Sequence, residues 1–240
     1  MGRPKKNQSN QQNVQNNPLQ CPFCLKVFST EKYLINHLCE SKRRVLQRSE
    51  RPVTIGFASY RRFWKCRMNP KAIVAWEDFE KSSLYSAFVR FGRYIISNNA
   101  INPNGFVDFL IRLEVGIDDW CKSSYYQAYV RELNKSETPI EALQRNMMLM
   151  EQWAISENMH WTDFFRKVSP PQAVMWIVSG RLSPWVFLTA TSSKELLDRM
   201  TDEQLDLINE VIDEKFWEIK LKKYQKDVDT IVAELSEFNV

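Results

Sequence analysis

The sequence predicts a mainly α-helical protein, with a small ββα unit near the N-terminus followed by an all-α body that contains a duplicated helical unit. Three observations predict this fold class. Two cysteines and a histidine lie close together within residues 20–45. Apolar residues recur at helical spacing from about residue 76 onward. Outside residues 20–45, no convincing run of alternating apolar and polar residues indicates strands.

Composition divides the chain of 240 residues into four segments. Residues 1–19 are rich in Asn, Gln, Lys and Pro, so we expect a disordered basic arm there. Residues 20–45 form the ββα unit. Residues 46–75 are a basic connector with aromatic residues, and residues 76–240 form the all-α domain.

The most specific chemical pattern lies in the ββα unit. Cys21 and Cys24 are separated by two residues, and twelve further residues separate Cys24 from His37. Two thiolates from a tight turn and an imidazole from a helix can bind one metal ion at this spacing. Phe28 and Leu34 are the apolar residues that can pack the small core of such a unit. The pattern therefore predicts a metal site.

Residues 21–39 resemble the classical two-Cys two-His zinc fingers, as a Cys-Cys-His-Cys variant. The resemblance implies Zn²⁺ as the cofactor and a fourth ligand three to five residues after the histidine. Here Cys39 follows His37 by only two residues, and positions i and i+2 point to opposite sides of an α-helix. We therefore expect Cys39 to be the fourth ligand only if the helix ends or tightens at His37. Cys66, in the connector, is the alternative ligand.

The connector carries aromatic residues among its cations: Phe57, Tyr60, Phe63 and Trp64 lie among Arg51, Arg61, Arg62, Lys65 and Arg67. The spacing favours a helix with an aromatic face. The aromatic side chains either pack onto the all-α body, which we favour, or stack on nucleic-acid bases between phosphate contacts.

The body repeats a segment of its own sequence. Residues 81–90 (KSSLYSAFVR) recur as residues 122–131 (KSSYYQAYVR), and residues 161–169 form a fainter third copy. A Gly-Phe pair precedes each of the first two copies, at residues 56–57 and 105–106. This pattern predicts one helical unit used two or three times. The serines at the start of the copies are predicted helix N-caps.

Further helices are predicted toward the C-terminus. Residues 139–156 and 170–179 each begin with proline, and Gly180 is a natural end for the second helix. Acidic amphipathic helices follow over residues 193–200 and from residue 201 to about residue 238. The last begins with a capping box, Thr201 to Gln204.

Charge is divided unevenly along the chain. Residues 1–67 hold fourteen Lys or Arg and three acidic residues, a net charge of +11, whereas the remainder has a net charge of −7. This asymmetry predicts a basic region that binds a polyanion, with DNA as the expected partner. The candidate nucleic-acid-binding residues are Arg3, Lys5, Lys6, Lys32, Lys42, Arg43, Arg44, Arg48, Arg61 and Arg62.

Sequence-tolerant binding is expected, because the start of the finger helix is poor in base-reading side chains. Only Lys32 is basic among Ser29 to Tyr33, the positions that would reach base edges. Residues 2–6 (GRPKK) resemble half of an AT-hook, a minor-groove-binding arm. The body is expected to serve as an interaction or assembly platform, with a protein partner of its own.

Two other functions remain open from the sequence. The chain is alternatively a protein–protein adaptor whose finger docks a partner, or, with weaker support, a nuclease or processing enzyme that uses acidic residues such as Asp118 and Asp119. We do not expect an enzyme, because no phosphate-binding loop or catalytic constellation is evident. No small-molecule substrate is evident either.

The remainder of the chain diffusely resembles uncharacterised zinc-finger proteins of large tailed phages, through residues 37–44 (HLCESKRR) and 179–185 (SGRLSPW). The resemblance implies no activity. Five cysteines without an export signal or an apolar run of membrane-spanning length predict a cytoplasmic protein, in the host cytoplasm if viral, with no membrane partner.

Overall fold

The computed structural model describes residues 18–67, 70–71, 73–237 and 240, and these are mainly α-helical. The predicted disordered arm lies almost entirely outside the described residues, as do Arg3, Lys5 and Lys6. The helices in the described part of the chain are α1 (Glu31–Asn36), α2 (Glu40–Leu46), α3 (Arg51–Arg67), α4 (Trp76–Lys81), α5 (Tyr85–Ser97), α6 (Pro103–Arg112), α7 (Ser123–Ser136), α8 (Pro139–Glu157), α9 (Phe164–Lys167), α10 (Pro170–Val178), α11 (Pro184–Phe187), α12 (Ser193–Leu197), α13 (Asp202–Asn209), α14 (Glu214–Lys223) and α15 (Gln225–Glu237).

Extended structure is limited to the N-terminal unit. Gln20 and Val27 form one isolated antiparallel bridge, and the described residues contain no sheet. Among those same residues, no helix combines the length and the hydropathy that crossing a bilayer requires.

The first hydrophobic core is built by α3 to α7. Aromatic side chains dominate it, and their rings meet in tilted and edge-to-face contacts of the kind that aromatic pairs prefer. Its most deeply buried members are Val53, Phe79, Phe88, Phe91, Phe106, Val107, Leu110, Trp120 and Val130.

Helices α3 and α5 approach so closely that their backbones are in contact. A β-carbon added at Gly92 would lie 2.0 Å from the carbonyl oxygen of Pro52, and one at Gly56 would lie 2.7 Å from the carbonyl oxygen of Phe88. Only hydrogen fits at these two positions, so the glycines determine how near the connector helix can come to the body.

The aromatic residues of the connector pack onto this core, in agreement with the interpretation that we favoured. Tyr60 is buried, and its ring centroid lies 5.4 Å from that of Phe88. Phe57 stacks on Phe79, and Phe63 contacts Phe88. The connector is therefore a structural part of the body. Its Arg51, Arg61, Lys65 and Arg67 are exposed, whereas Arg62 is half-buried.

The second core is formed by α8 to α15. Its fully or almost fully buried residues are Ala142, Met150, Phe164, Phe165, Val168, Ala173, Ile177, Leu182, Trp185, Val186, Phe187, Leu196, Trp217, Ile231 and Leu235. Helices α8 and α10 begin at Pro139 and Pro170, as the sequence predicts. Gly180 follows α10 with φ of +78°, the left-handed conformation that glycine adopts readily.

The single long helix expected from residue 201 onward is instead three helices. The capping box at Thr201 and Gln204 is confirmed, but α13 ends at Asn209 and Asp213 caps a new helix by accepting from the backbone N–H of Phe216. The breaks let Trp217 and Leu235 both reach the core. One continuous helix would have placed Ile219 on the same apolar face as Ile208 and Ile212, yet Ile219 is exposed.

The two cores are joined by a clamp of polar side chains. The guanidinium of Arg145 forms a bidentate pair with Glu137, at 2.8 and 2.9 Å, and donates to the carbonyl oxygens of Gly180 and Arg181. From the first core, the Tyr126 hydroxyl donates to the carbonyl oxygen of Ser179. The turn after α10 is thus held by side chains from both sides of the junction.

We predict that Gly92→Ala destabilises the protein by about 1–3 kcal/mol or more, because the new methyl group overlaps backbone atoms that cannot move aside. Thermal unfolding followed by circular dichroism would measure the loss. Gly116→Ala is the matched control, since nothing lies within 4 Å of the added β-carbon. Equal melting temperatures for the two variants would contradict the close approach of α3 and α5.

Candidate metal centre

The two cysteines of the first pair lie on a tight turn. The backbone N–H of Leu25 donates to the carbonyl oxygen of Cys21, and that of Cys21 donates to the carbonyl oxygen of Lys26. Leu25 closes the turn with φ of +60°. This turn brings the sulfur atoms of Cys21 and Cys24 to one side.

Helix α1 delivers the histidine at its C-terminal end. Thr30 caps the helix by accepting from the backbone N–H of Tyr33, and the helix ends at Asn36. His37 already has extended backbone, with φ of −72° and ψ of 120°. Its ring packs against Phe28 with the centroids 4.6 Å apart, and Phe28 and Leu34 are half-buried, as expected for the core of a small unit.

The end of α1 explains how Cys39 joins the group. Cys39 also has extended backbone, with φ of −78° and ψ of 165°. In an extended chain, side chains two residues apart point to the same side, whereas in a helix they diverge. The Sγ of Cys39 lies 3.9 Å from that of Cys21. The condition that the sequence set for Cys39, a helix that ends at His37, is therefore met.

The donor atoms of Cys21, Cys24, His37 and Cys39 all lie within 4.8 Å of one another, which makes them a group that can hold a metal ion. Zn–S bonds of about 2.3 Å at tetrahedral angles place two sulfurs about 3.8 Å apart, close to the Cys21–Cys39 separation. The Cys24 Sγ and His37 Nε2 are 3.1 Å apart, so they would separate by about 0.4 Å around zinc. Three thiols and one imidazole are donors that zinc accepts.

The environment of Cys21 favours its thiolate form. Burial of this side chain raises its pKa, but hydrogen bonds from the backbone N–H groups of Cys24 and Phe23 and from the side chains of Cys24 and Cys39 together lower it by more. The pKa of Cys21 consequently lies below its usual value. Because metals bind thiolate rather than thiol, the turn favours the form of Cys21 that binds a metal ion.

Cys66, the alternative ligand, does not join the group. It is exposed in the last turn of α3. Within the described residues, no second cluster of three or more His, Cys, Asp or Glu side chains could hold a metal ion. Asp118 and Asp119, the acids considered for a nuclease, pair with Arg90 and Lys122.

Cys39 connects the metal group to the body through α2. Its sulfur accepts from the backbone N–H of Lys42 and caps that helix. From α2, the guanidinium of Arg44 donates to the carbonyl oxygens of Glu80 and Ser82 and lies 4.3 Å from the ring of Tyr85. The small unit is thus docked on the first core by a cation from the predicted nucleic-acid-binding set.

The structure spreads the remaining candidate cations over several environments. The Nζ of Lys42 donates to the carbonyl oxygen of His37, and Arg43 pairs with Glu40. The guanidinium of Arg48 lies 5.0 Å from the ring of Trp76. Lys32 is exposed on α1. Lys42, Arg43 and Arg48 therefore each already contact another group of the protein.

The last two candidates, Arg61 and Arg62, lie on α3. Two other cations of this helix, Arg51 and Lys65, were not among the predicted binding residues. Arg61 lies over the ring of Phe57, and Arg62 forms a bidentate pair with Asp108. Arg51 and Lys65 share the exposed side of α3 with Arg61. Arg61 and Lys65 are four residues apart, about one helical turn, and that spacing was the available signal. Arg51, ten residues before Arg61, is offset from it by about a quarter of a turn.

No protein family matches the chain, and no curated protein or solved structure shows significant similarity to it. Functional conclusions therefore rest on the chemistry of its own residues.

We predict that the protein binds one zinc ion per chain and that Cys39→Ser weakens zinc binding more than about 100-fold, beyond the loss typical of residues that only support a ligand. Native mass spectrometry and competition with a chromogenic chelator would measure stoichiometry and affinity. Cys66→Ser is the matched control and should bind as the unaltered protein does. Loss of zinc in Cys66→Ser with retention in Cys39→Ser would reverse the ligand assignment.

Proposed function

We propose that this protein is a zinc-finger nucleic-acid-binding protein that binds DNA through its basic N-terminal third, with little regard to base sequence. The all-α body serves as the platform on which the basic region is displayed. The finger organises this region, and the solvent-facing side of α3 supplies phosphate contacts.

The observation that carries the proposal is the composition and orientation of α3. This helix of 17 residues contains five cations and no acidic residue. Its aromatic face packs on the first core, so the opposite side faces solvent. Arg51, Arg61 and Lys65 lie on that side and are exposed, and we call these three residues the basic face of α3.

The basic face is suited to phosphate. None of its three members pairs with a carboxylate among the described residues. Thr54 and Ala58, which lie between them on the same side, are small. A nucleic-acid backbone can therefore approach the helix closely, and a row of cations along it neutralises successive phosphates.

Sequence-tolerant binding follows from the side chains available. In major-groove readout by a finger, residues near the start of the helix reach base edges. Here Glu31, Lys32 and Tyr33 occupy the first turn of α1, and only Lys32 is basic. Contacts to phosphate position a protein on a duplex but carry no base information.

The finger itself is proposed to be a ββα unit closed by zinc. The bridge between Gln20 and Val27, the turn at Cys21–Cys24 and the following α1 support that topology. A segment this small has little core of its own, so zinc binding would supply its folding free energy.

A duplicated helical unit is proposed for the first half of the body. Phe88 in α5 and Tyr129 in α7 occupy the same position of the repeated segment, and both are buried. A glycine packs against each of them: Gly56 lies against the carbonyl of Phe88, and Gly105 against the hydroxyl of Tyr129. The repeated sequence and these matching contacts support one ancestral helix pair used twice.

The nucleic-acid proposal is tested by salt-dependent DNA binding. We predict that replacing Arg51, Arg61 and Lys65 together with Gln weakens binding to all sequences and lowers the slope of log K against log salt by about 3, roughly one per phosphate contact. Fluorescence anisotropy with duplex and single-stranded DNA would measure both. Replacing exposed Lys194, Lys215 and Lys226 of the body with Gln removes the same charge and should leave the slope unchanged. An unaltered slope in the first variant would remove the basic face of α3 from the binding site, and no binding at low salt would end the proposal.

A second function, docking of a protein partner by the finger, is favoured by one observation. Four large apolar side chains of the finger are 60% exposed or more, namely Leu25, Tyr33, Ile35 and Leu38. Exposed apolar side chains gathered in so small a unit are typical of an interaction surface.

Site-specific crosslinking separates the two functions. A photoreactive amino acid at Ile35 is expected to capture protein in producing cells, and one at Ala58, beside the basic face of α3, is expected to capture nucleic acid. Capture of nucleic acid from both positions would contradict docking by the finger, and capture of protein alone from both would favour the adaptor.

A further inference from the structure

A cavity of about 300 Å³ lies at the junction of the two cores, where the C-terminal ends of α5 and α10 meet the N-terminal end of α7. Ligand cavities are common at such junctions. Its lining contains one cation and no acidic residue. The polar lining residues are Tyr94, Ser97, Asn98, Asn99, Ser123, Tyr126, Gln127, Ser179 and Arg181.

Arg181 differs from every other half-buried arginine in the described part of the chain. The other four each pair with a carboxylate: Arg44 with Glu40, Arg62 with Asp108, Arg145 with Glu137, and Arg166 with Glu195. The Arg181 guanidinium lies 5.7 Å from the ring of Trp176 but makes no hydrogen bond or ion pair with a described residue. Burial lowers its pKa, with no carboxylate nearby to raise it.

A partly buried charge without a partner is unfavourable, because desolvation is not balanced by an opposite charge. The guanidinium has five N–H donors in a planar fork that matches the oxygens of a phosphate or carboxylate. An anion in the cavity would balance the charge of Arg181 and accept its hydrogen bonds, as carboxylates do for the other four arginines.

The neutral lining offers further donors. Ser123 is the first residue of α7, and Lys122 before it provides no side-chain cap. The backbone N–H groups of Ser123 and Ser124 are therefore available, whereas that of Tyr125 donates to the carbonyl oxygen of Lys122. The carbonyl oxygens at the end of α10 are already engaged, since Ser179 accepts from Tyr126 and Trp176 accepts from the backbone N–H of Leu182. These two carbonyl oxygens on the α10 side of the cavity are therefore not free to compete with an anion for the donors.

We infer that this cavity binds a small phosphate monoester, with the phosphate held by the Arg181 guanidinium and the N-terminus of α7. A phosphate with three terminal oxygens uses this donor set more fully than a carboxylate with two. The amides of Asn99 and Gln127, both exposed at the rim, can hydrogen-bond the organic part of the ligand. The size of the cavity limits the ligand to about that of a mononucleotide.

Isothermal titration calorimetry on the full chain tests the inference with three probes: adenosine 5′-monophosphate, inorganic phosphate and adenosine. Both phosphate compounds should bind, whereas adenosine should not. Arg181→Met should weaken the phosphate compounds at least tenfold. Arg93→Met is the matched control, because Arg93 is exposed on α5 and does not line the cavity. Unchanged affinity in Arg181→Met, or equal binding of adenosine, would overturn the inference, as would the absence of binding by both phosphate compounds and by the strand probe below.

The same phosphate chemistry is available from a free nucleotide or from the end of a nucleic-acid strand. Oligonucleotides that carry a 5′-phosphate or a 5′-hydroxyl distinguish these sources, since contacts at the basic face of α3 are common to both. A preference for the 5′-phosphate that disappears in Arg181→Met would identify the strand end as a ligand, with or without binding of the free nucleotide.

The melting temperature of the ligand-free protein separates this role from a purely structural one. If Arg181 is kept for a ligand, Arg181→Met should retain or raise the melting temperature, because it removes an unpaired, partly buried charge. A clear fall in the ligand-free melting temperature would assign Arg181 to the packing of Trp176 and would overturn the inference.

Discussion

The Arg145–Glu137 pair is the interaction on which the arrangement of the body depends. The Glu137 side chain is 7% exposed and that of Arg145 is 24% exposed, so both charges are largely withdrawn from water. Removing one partner of such a pair typically costs about 3–5 kcal/mol, because the other charge is left uncompensated. The remaining donors of Arg145 hold the carbonyl oxygens of Gly180 and Arg181. One guanidinium thus ties the start of the second core to the turn that follows α10.

The same clamp determines the chemistry of the junction. With its carbonyl oxygen held by Arg145 and by Asn146, the backbone of Arg181 is held in place and its side chain lies along Trp176 in the cavity wall. Gly180 has a left-handed backbone conformation, which lets the turn pack closely against the first core. A β-carbon there would lie 2.8 Å from Val130. A rigid turn between two cores is a suitable place for a binding arginine, since little ordering is needed when a ligand arrives.

Local chemistry was predictable from the sequence, whereas long-range assembly was not. The spacing of Cys21, Cys24 and His37 predicts the metal group because its ligands are fixed by one turn and one short helix. The capping box at Thr201 was likewise readable, but the breaks after Asn209 and at Tyr224 depend on how the chain wraps the second core. The cavity at Arg181 combines segments about 80 residues apart in the sequence, so no local pattern could indicate it.

The position of the N-terminal unit, residues 20–45, gives its cations different environments from those of α3. Through Cys39 the metal group caps α2. Arg44 of α2 contacts Tyr85 of the body, and Arg48, in the turn after α2, contacts Trp76. Cations that lie over aromatic rings gain stability from the contact, and they are less free to neutralise phosphate. The net charge of the N-terminal third therefore overstates its capacity for phosphate. On the basic face of α3, Arg61 also lies over a ring, that of Phe57, so Arg51 and Lys65 are the members most free to contact phosphate. In the proposed function, zinc would therefore act on nucleic-acid binding indirectly, by fixing the N-terminal unit against the body beside α3.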